Sequence, residues 1–163
     1  MDRLILSISN ILTLLDSYIV RFRKPMKTLI NPNLDDINWD TVTEILKTSG
    51  MSYQKPMVHK RAFQASYRKV FIFSGSKLIG FGRAISDGEY QAAFYDISVL
   101  PSFQGKGVGK TIVSALKDGL SNCNIIFYST PGMEGFYKKQ GFHSLRTGMG
   151  LFSSTEANKR LTY

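Results

Sequence analysis

The sequence predicts an α+β fold in which helices flank one mixed, mostly antiparallel sheet. Three β-rich runs separated by turn residues predict an antiparallel meander. The turns are Ser74-Gly75-Ser76 and Asp87-Gly88, and the second is a common hairpin signal. The runs span residues 69–73, 77–86 and 91–99. A helical pattern over 107–121 then leads to a strand over 124–129, which a right-handed crossover places parallel to the strand before the helix.

The remaining elements place helices before the meander and after it. A helix over 37–47 follows Asp35 and Asp36, either of which can cap it, and Gly50 lies just past its end. Further elements are a helix over 59–67 after Pro56, a helix over 134–140, a last strand over 142–152 and a polar tail. No internal repeat or low-complexity tract is present, so one domain is expected over 26–155. The outlying parts are an extension over 1–25 and a tail over 156–163.

The composition is that of one globular domain with an excess of positive charge. The 163 residues are 43% hydrophobic, which is ordinary for a chain with a sizeable core. Lysine and arginine number 21 against 12 acidic residues, a formal net charge of +9. The basic residues are spread along the chain in small clusters, which argues against nucleic acid as the main partner. We expect the charge to serve a phosphate-bearing small ligand and solubility.

The first 25 residues form a pattern of their own. Apolar residues recur at helical spacing over 4–22, which predicts an amphipathic helix. The stretch is short for a membrane span and lacks the basic leader and small-residue cleavage site of a secretory signal. Three interpretations stay open: a helix that packs on the domain or on a second subunit of a homodimer, a membrane-surface anchor, or a translated extension upstream of a start at Met26.

A glycine-dense turn between the third strand and the following helix is the most informative feature of the chain. Its glycines let the backbone bend tightly and approach a ligand with no Cβ in the way. The free N–H groups and the positive end of the helix dipole converge there, with two lysines alongside. The residues concerned are Gln104, Gly105, Lys106, Gly107, Val108, Gly109 and Lys110. This combination predicts an anion site, most naturally a phosphate site.

The glycine spacing separates three phosphate-binding fingerprints. A P-loop needs glycine at position 104, which is glutamine, and a following strand that ends in aspartate, which the sequence lacks. A dinucleotide fingerprint starting at Gly105 needs glycine at position 110, which is lysine. The pattern that fits is Gln-x-x-Gly-x-Gly at Gln104, Gly107 and Gly109. This pattern resembles the acetyl-CoA signature of the GCN5-related N-acetyltransferase (GNAT) superfamily.

Two further blocks strengthen the resemblance, which covers residues 27–152. The block Glu134-Gly-Phe-Tyr-Lys-Lys-Gln-Gly-Phe142 is similar to the helix and turn that follow the fifth strand in that superfamily. The block over 86–100 is similar to a group of small bacterial, cyanobacterial and plastid members that includes serotonin N-acetyltransferase-like proteins. The resemblance implies the GNAT acyl-CoA N-acyltransferase fold. In that fold the strands over 91–99 and 124–129 part at their ends and leave a cleft for the pantetheine arm.

The resemblance also implies a cofactor site. Backbone groups of the third strand would bind the pantetheine amides, and the glycine turn would bind the pyrophosphate. Thr130 stands where many relatives carry an asparagine that bonds the cofactor, and a hydroxyl supplies part of that contact. The residues so predicted to bind acetyl-CoA are Ile97, Ser98, Val99, Gln104, Gly105, Lys106, Gly107, Val108, Gly109, Lys110 and Thr130. No metal is implied.

Tyr137 matches a family tyrosine that lies near the thiol sulfur and protonates the leaving thiolate. A phenol suits this step because its ordinary pKa, about 10, lies close above that of a thiol. The alternative is an aromatic ring packed in the cleft with no proton work. No general base is evident, because the positions that face the substrate in relatives are Ala93 and Tyr95. Asp96 alternates to the other face unless a bulge re-aims it. The candidates left open are Asp87, Glu89, Asp96 and an ordered water.

The sequence therefore predicts an acetyl-CoA-dependent N-acetyltransferase that moves an acetyl group to a primary amine by direct attack in a ternary complex. The acceptor stays open among small arylalkylamines, polyamines, amino acids and protein amines. Two interpretations from other classes are a CoA-binding regulatory module without turnover, which Ala93 favours, and a basic nucleic-acid-associated protein. The lone Cys123 cannot form an internal disulfide, so the cytoplasm or a plastid stroma is expected. We interpret this cysteine, His59 and His143 as packing or surface residues.

Overall fold

The computed structural model describes residues 25–161, and in this part of the chain five strands form a single sheet. The strands are β1 Met26–Ile30, β2 Arg68–Ser74, β3 Lys77–Ser86, β4 Gln91–Val99 and β5 Asn124–Ile126. They lie in chain order across the sheet; β1 to β4 pair antiparallel, and β4 pairs parallel with β5. The sheet is therefore mixed and mostly antiparallel, as predicted. The amphipathic helix predicted over 4–22 falls outside the described residues.

Helices cover both faces of the sheet. They are α1 Trp39–Thr48, α2 Pro56–Gln64, α3 Val108–Asp118, α4 Glu134–Lys138 and α5 Thr155–Leu161. Successive residues of β2 point to opposite faces, so Val70 and Ile72 are buried in the cluster beneath α3, while Phe71 is buried in the cluster beneath α1 and α2. This confirms the predicted α+β arrangement. Within the described residues, no helix is long and apolar enough to cross a membrane.

The helix α1 begins later than predicted because a different side chain caps it. Asn38 is the N-cap, and its Oδ1 accepts a backbone N–H three residues further on at 2.9 Å. Asp35 and Asp36, the predicted caps, lie instead in a preceding 3-10 turn, Leu34–Asp36. Gly50 follows the helix as expected, and its φ of 74° is the left-handed conformation common after a helix end.

The other helices are present with shifted ends. The helix predicted over 59–67 begins at Pro56, since proline at the first turn gives up an N–H that has no partner in the helix. The helix predicted over 107–121 is α3, which is shorter at both ends. The helix predicted over 134–140 is α4, and part of the tail forms α5.

The strand predicted over 142–152 is absent. The segment is irregular, and the side chains of Met149 and Leu151 are fully exposed. Gly148 and Gly150 lie within it, and glycine weakens a strand because it has no side chain to pack. The segment therefore adds nothing to the outer side of β5.

One strand was missing from the prediction. No strand is predicted over Met26–Ile30, yet these residues pair along the whole of β2 as β1. Four of its five side chains are exposed, so the apolar alternation that marks a half-buried strand is weak here.

The parallel ladder between β4 and β5 is short. Its register pairs are Gln91–Asn124, Ala92–Ile125 and Ala93–Ile126. The strand predicted to reach residue 129 thus leaves the ladder after Ile126. Immediately beyond, the rings of Phe94 and Phe127 stack between the two segments, with centroids 6.3 Å apart and planes inclined by 15°. A cleft opens past this stack, as the resemblance to acetyltransferases implies.

A β-bulge lies in β4 beside this opening. The flanking pairs between β3 and β4 are Arg83–Tyr95 and Phe81–Ser98. Two residues of β4, Asp96 and Ile97, therefore lie opposite the single β3 residue Gly82. Asp96 has a φ of 54°, in the left-handed region that residues other than glycine rarely adopt. The bulge that could re-aim Asp96 is thus present.

Gly82 permits the close approach of α3 to the bulged part of the sheet. A Cβ at this position would lie 2.8 Å from Cγ2 of Ile112 and 3.1 Å from Cγ1 of Ile97. We expect Gly82→Ala to lower the free energy of unfolding by about 1–3 kcal/mol, because the added methyl overpacks the core. Urea denaturation monitored by circular dichroism measures this change.

Gly135 in α4 offers the matched control. No atom lies within 4 Å of a Cβ built there, and its φ is not in the positive region. Gly135→Ala should leave stability unchanged or raise it by up to about 1 kcal/mol, since alanine favours helix over glycine. Equal stability of the Gly82→Ala variant and the wild type would contradict the packing described here.

Candidate functional site

The cleft between the parted ends of β4 and β5 has a volume of about 140 Å³. Its floor is the bulged part of β4, and the chain over 127–130 that continues from β5 forms one wall. Tyr137 of α4 also lines it. The loop between α1 and α2 lines the cleft through Met51 and Ser52, and the C-terminal part lines it through Phe152 and Leu161.

The glycine turn precedes α3 and has the predicted open backbone. Gly105 and Gly107 have φ values of 71° and 84°, and no atom lies within 4 Å of a Cβ built on either. Gly107 is the N-cap of α3, so no side chain satisfies the N–H groups of the first helical turn. The side chain of Val108 is buried beneath α3 and anchors the turn on the sheet. A bare, positively polarised helix start therefore faces solvent.

The third glycine of the turn has a different role. A Cβ at Gly109 would lie 3.3 Å from Cζ of Phe136 and 3.8 Å from Cγ2 of Val99. Gly109 thus lets α3 pack against α4, next to Tyr137. The glycine turn and the tyrosine are thereby held in fixed relation to each other.

Side chains of the turn bond to the chain before it. The Nε2 of Gln104 donates to the carbonyl oxygen of Val99 at 3.1 Å, which ties the turn to the end of β4. The Nζ of Lys106 donates to the carbonyl oxygen of Ser102 at 2.8 Å and lies 5.2 Å from the ring centroid of Phe103. The side chain of Lys110 is exposed. The positive charges therefore lie around the open turn.

The predicted pantetheine-binding residues occupy the end of β4 beyond the bulge. Ile97 lines the cleft, and Val99 packs against the core beneath α3. The Ser98 side chain is buried on the other face, where its hydroxyl lies 2.7 Å from that of Ser49 at the end of α1. This bond ties β4 to the loop that carries Met51. Any contact of Ser98 with a ligand in the cleft would therefore use its backbone.

Tyr137 reaches the cleft from α4 within a cluster of aromatic rings. Its ring centroid lies 4.5 Å from that of Phe127 and 4.9 Å from that of Phe136. Burial among these rings raises the pKa of the Tyr137 phenol. The hydroxyl therefore keeps its proton at neutral pH. Thr130 lines the same cleft, so the structure brings these two predicted residues together.

Of the three candidate carboxylates, Asp96 lines the cleft, while Asp87 and Glu89 lie in the hairpin before β4. The Oδ1 of Asp87 accepts three backbone N–H groups, from Glu89, Tyr90 and Gln91, at 2.9–3.1 Å. These hydrogen bonds, that from Gln91 first, lower the pKa of Asp87. Asp87 therefore serves the turn geometry of the hairpin.

Of the two histidines interpreted as packing or surface residues, His59 is a packing residue. His59 is buried, and its Nε2 accepts the backbone N–H of Gln54 at 2.9 Å. Burial is the main cause that lowers the pKa of His59, and the positive charge of Arg83 acts in the same direction against the opposing charge of Asp96. His59 is thus favoured in its neutral form and holds the loop before α2. His143, which was interpreted in the same way, is exposed.

One part of the site was not predicted from the sequence. Tyr128 lies between Tyr95 and Phe152, with ring centroids 6.3 Å and 5.5 Å away, respectively. These three rings line the cleft as an aromatic wall. From the sequence, Tyr95 is only a position that carries no general base, and Phe152 is predicted to lie in a strand. The contact depends on the fold-back of residues 142–152, for which the sequence carries no periodic signal.

Comparison with known proteins finds similarity to the GNAT acetyltransferases. Residues 66–144 match the family model of the acetyltransferase (GNAT) domain. GCN5-related N-acetyltransferase 1, chloroplastic, of Arabidopsis thaliana is 38% identical over 87 residues, 50% of this chain and 44% of the relative. Serotonin N-acetyltransferase 2, chloroplastic, of Oryza sativa subsp. japonica is 36% identical over 72 residues, 42% of this chain and 36% of the relative. The chain thus spans less than half the length of these curated relatives.

Solved structures agree on the fold. The crystal structure of a probable acetyltransferase from methicillin-resistant Staphylococcus aureus superposes with a TM-score of 0.69 and 22% sequence identity. The superposition covers 80% of this chain and 99% of that chain. The fold is therefore that of the GNAT acetyltransferases, and residues 66–144 are similar to the acetyltransferase (GNAT) domain.

The open conformation of Gly107 predicts a sensitive position for acetyl-CoA binding. Valine at a φ of 84° is strained, and its branched side chain would cover the bare helix start. We expect Gly107→Val to weaken acetyl-CoA binding by about tenfold or more, because charge-assisted backbone hydrogen bonds are lost. Isothermal titration calorimetry measures the affinity.

Gly141 provides a control with the same strain. It has a φ of 88° and open space around its Cβ, but it follows α4 rather than the glycine turn. Gly141→Val should cost similar stability and leave the acetyl-CoA affinity unchanged. If folded Gly107→Val binds acetyl-CoA as tightly as the Gly141→Val control, the turn is not the phosphate site.

Proposed function

We propose that this protein is an N-acetyltransferase that transfers the acetyl group of acetyl-CoA to a primary amine. The observation that carries the proposal is the cleft between β4 and β5, because Tyr137 lines it and the open glycine turn is bonded to the end of the strand β4 that forms its floor. The named relatives and the GNAT domain over 66–144 support the same reaction.

The residues present fit acetyl-CoA as the co-substrate. The turn around Gly105 and Gly107 has room for phosphate oxygens next to the unsatisfied N–H groups of α3. The edge of β4 beyond Ala93 carries no ladder to β5, so its backbone can bind the amides of a pantetheine arm. Thr130 lies across the cleft from that edge. We keep all of the predicted cofactor residues in their proposed roles, with Gly109 acting through its backbone.

The proposed reaction is direct attack in a ternary complex. The amine nitrogen forms a bond to the thioester carbonyl carbon, and the carbon–sulfur bond breaks. Backbone N–H groups of β4 stabilise the negative charge on the carbonyl oxygen. Tyr137 gives its proton to the thiolate, and the proton of the amine leaves to solvent. The raised pKa of Tyr137 keeps the phenol protonated until the thiolate forms.

For the acceptor we propose a small arylalkylamine among the amines left open by the sequence. The aromatic wall formed by Tyr95, Tyr128 and Phe152 suits an aromatic ring. The name of the rice relative, a serotonin N-acetyltransferase, supports this class. The relatives named chloroplastic also support a plastid as the compartment, and we keep 26–155 as the proposed catalytic domain.

The decisive experiment is steady-state release of free thiol from acetyl-CoA with a panel of amines. Tryptamine, spermidine, lysine and a peptide with a free N-terminus represent the four acceptor classes. We expect the largest kcat/KM with tryptamine. Binding of acetyl-CoA without thiol release for any amine would favour the alternative that Ala93 suggests, a CoA-binding module without turnover.

Tyr137→Phe tests the proposed proton donor. The ring and its contacts with Phe127 and Phe136 remain, so stability and acetyl-CoA affinity should change little. The rate of a single turnover should fall about 10²-fold or more, since a positioned general acid typically contributes that much. The wild-type rate should decline at high pH as the phenol loses its proton, and the variant should lack that decline.

Tyr90→Phe is the matched control for this variant. Tyr90 is an exposed residue of the hairpin before β4, distant in the sequence from α4 and not part of the cleft lining. Its single-turnover rate should equal that of the wild type. A Tyr137→Phe rate equal to that of this control would reduce Tyr137 to a packing role.

A further inference from the structure

The bulge of β4 is held by an ion pair that crosses to the neighbouring strand. The Nε of Arg83 in β3 donates to Oδ2 of Asp96 at 2.6 Å. The two side chains are only 13% and 21% exposed, respectively, so water screens the pair weakly. Asp96 is also the bulge residue with positive φ and a lining residue of the cleft.

Arg83 is itself immobilised by contacts on three sides. Its Nη1 donates to the hydroxyl of Ser66 at 3.3 Å. Its guanidinium carbon lies 5.1 Å from the ring centroid of Tyr95 and 5.8 Å from that of Phe63. An arginine fork bonded along its edge and flanked by rings has little freedom left. Arg83 therefore presents a fixed donor to Asp96.

The fixed position of Arg83 matters because the backbone conformation of Asp96, which it holds, is intrinsically unfavourable. A non-glycine residue at a φ of 54° persists only when its surroundings impose it, and such residues concentrate at functional sites. The bulge determines where the backbone of Asp96 and Ile97 lies on the cleft floor. It also places Tyr95 and Ile97 at the same cleft. A loosened bulge would displace groups that must meet the thioester.

We propose that Arg83 is a positioning residue that clamps the β4 bulge through Asp96, and that this clamp sets the rate of the acetyl transfer without contact with either substrate. This inference rests on the proposed function for its kinetic consequence alone. The carboxylate of Asp96 is an acceptor for Arg83 in this role and takes no proton from the amine. The other titratable groups packed against the pair are Tyr95, whose ring flanks Arg83, and His59 of α2, which is favoured in its neutral form.

The substitution Asp96→Asn distinguishes two roles of Asp96, as part of the clamp or as the general base, because the two roles predict different results. In Asp96→Asn the amide oxygen can still accept from Arg83, and asparagine tolerates positive φ. The clamp therefore survives while the ionisable carboxylate is lost. We expect kcat close to the wild-type value with an unchanged pH profile. A large loss of kcat together with an altered pH profile would overturn the proposal and make Asp96 the base.

The double variant Arg83→Gln/Asp96→Asn is the matched partner of that change. It differs from Asp96→Asn only at Arg83, and it leaves no buried carboxylate without a cation. We expect kcat to fall by about tenfold to a hundredfold relative to Asp96→Asn, because the reacting groups are no longer aligned. The KM for acetyl-CoA should stay nearly constant, since the glycine turn is untouched. Equal kcat values for these two variants would overturn the proposal.

A structural readout tests the clamp independently of catalysis. Hydrogen–deuterium exchange of the amides over 95–99 should be faster in the double variant than in the wild type, and unchanged in Asp96→Asn. Unchanged exchange in the double variant would overturn the clamp. A wild type that turns over no amine would contradict the proposed function, and the exchange result would still decide the clamp.

Asp96→Gly gives a second route if the double variant does not fold. Glycine adopts a φ of 54° without strain and removes the acceptor for Arg83. The folded variant should show faster exchange over 95–99 and a lower kcat than Asp96→Asn. Wild-type exchange and wild-type kcat in Asp96→Gly would show that the backbone holds the bulge without the ion pair.

Discussion

The parting of β4 and β5 is the constraint on which the candidate site depends. The two strands share three register pairs and then separate at the stacked rings of Phe94 and Phe127. A longer ladder would fill the cleft with backbone hydrogen bonds and leave no strand edge for a ligand. Tyr137 then packs on the far side of Phe127.

The position of the glycine turn follows from burial beneath α3. Val108, Ile112 and Leu116 are buried against the sheet, and each such side chain contributes about 1.5–3 kcal/mol when removed from water. The start of α3 therefore cannot move without exposing its apolar face. Glycine at positions 80 and 82 of β3 lets the helix lie close, since a Cβ at either would touch Ile112. The position of the open turn at Gly107 is thus set by the burial of the next residue, Val108, in the core.

The sequence predicted those features that depend on local patterns. The meander, α3 and the open glycine turn follow from turn residues, apolar spacing and glycine spacing, and each is present. The strand predicted over 142–152 was wrong: Gly148 and Gly150 weaken strand formation there, and Phe152 contacts Tyr128 instead. The strand β1 was missed because its side chains are mostly exposed. The aromatic wall and the Arg83–Asp96 pair join residues far apart in the sequence, which no local pattern reveals.

The bulge shows why a strand pattern alone misjudges this site. Strict alternation turns Asp96 away from the cleft, and one extra residue in β4 brings it back. The same extra residue demands a positive φ, which glycine, asparagine and aspartate adopt more readily than other residues. The carboxylate of Asp96 can be buried at this position because it forms an ion pair with Arg83. Asp96 is the one candidate base that lines the cleft among the three carboxylates considered. Its position there is better explained by the backbone conformation that it maintains than by proton transfer.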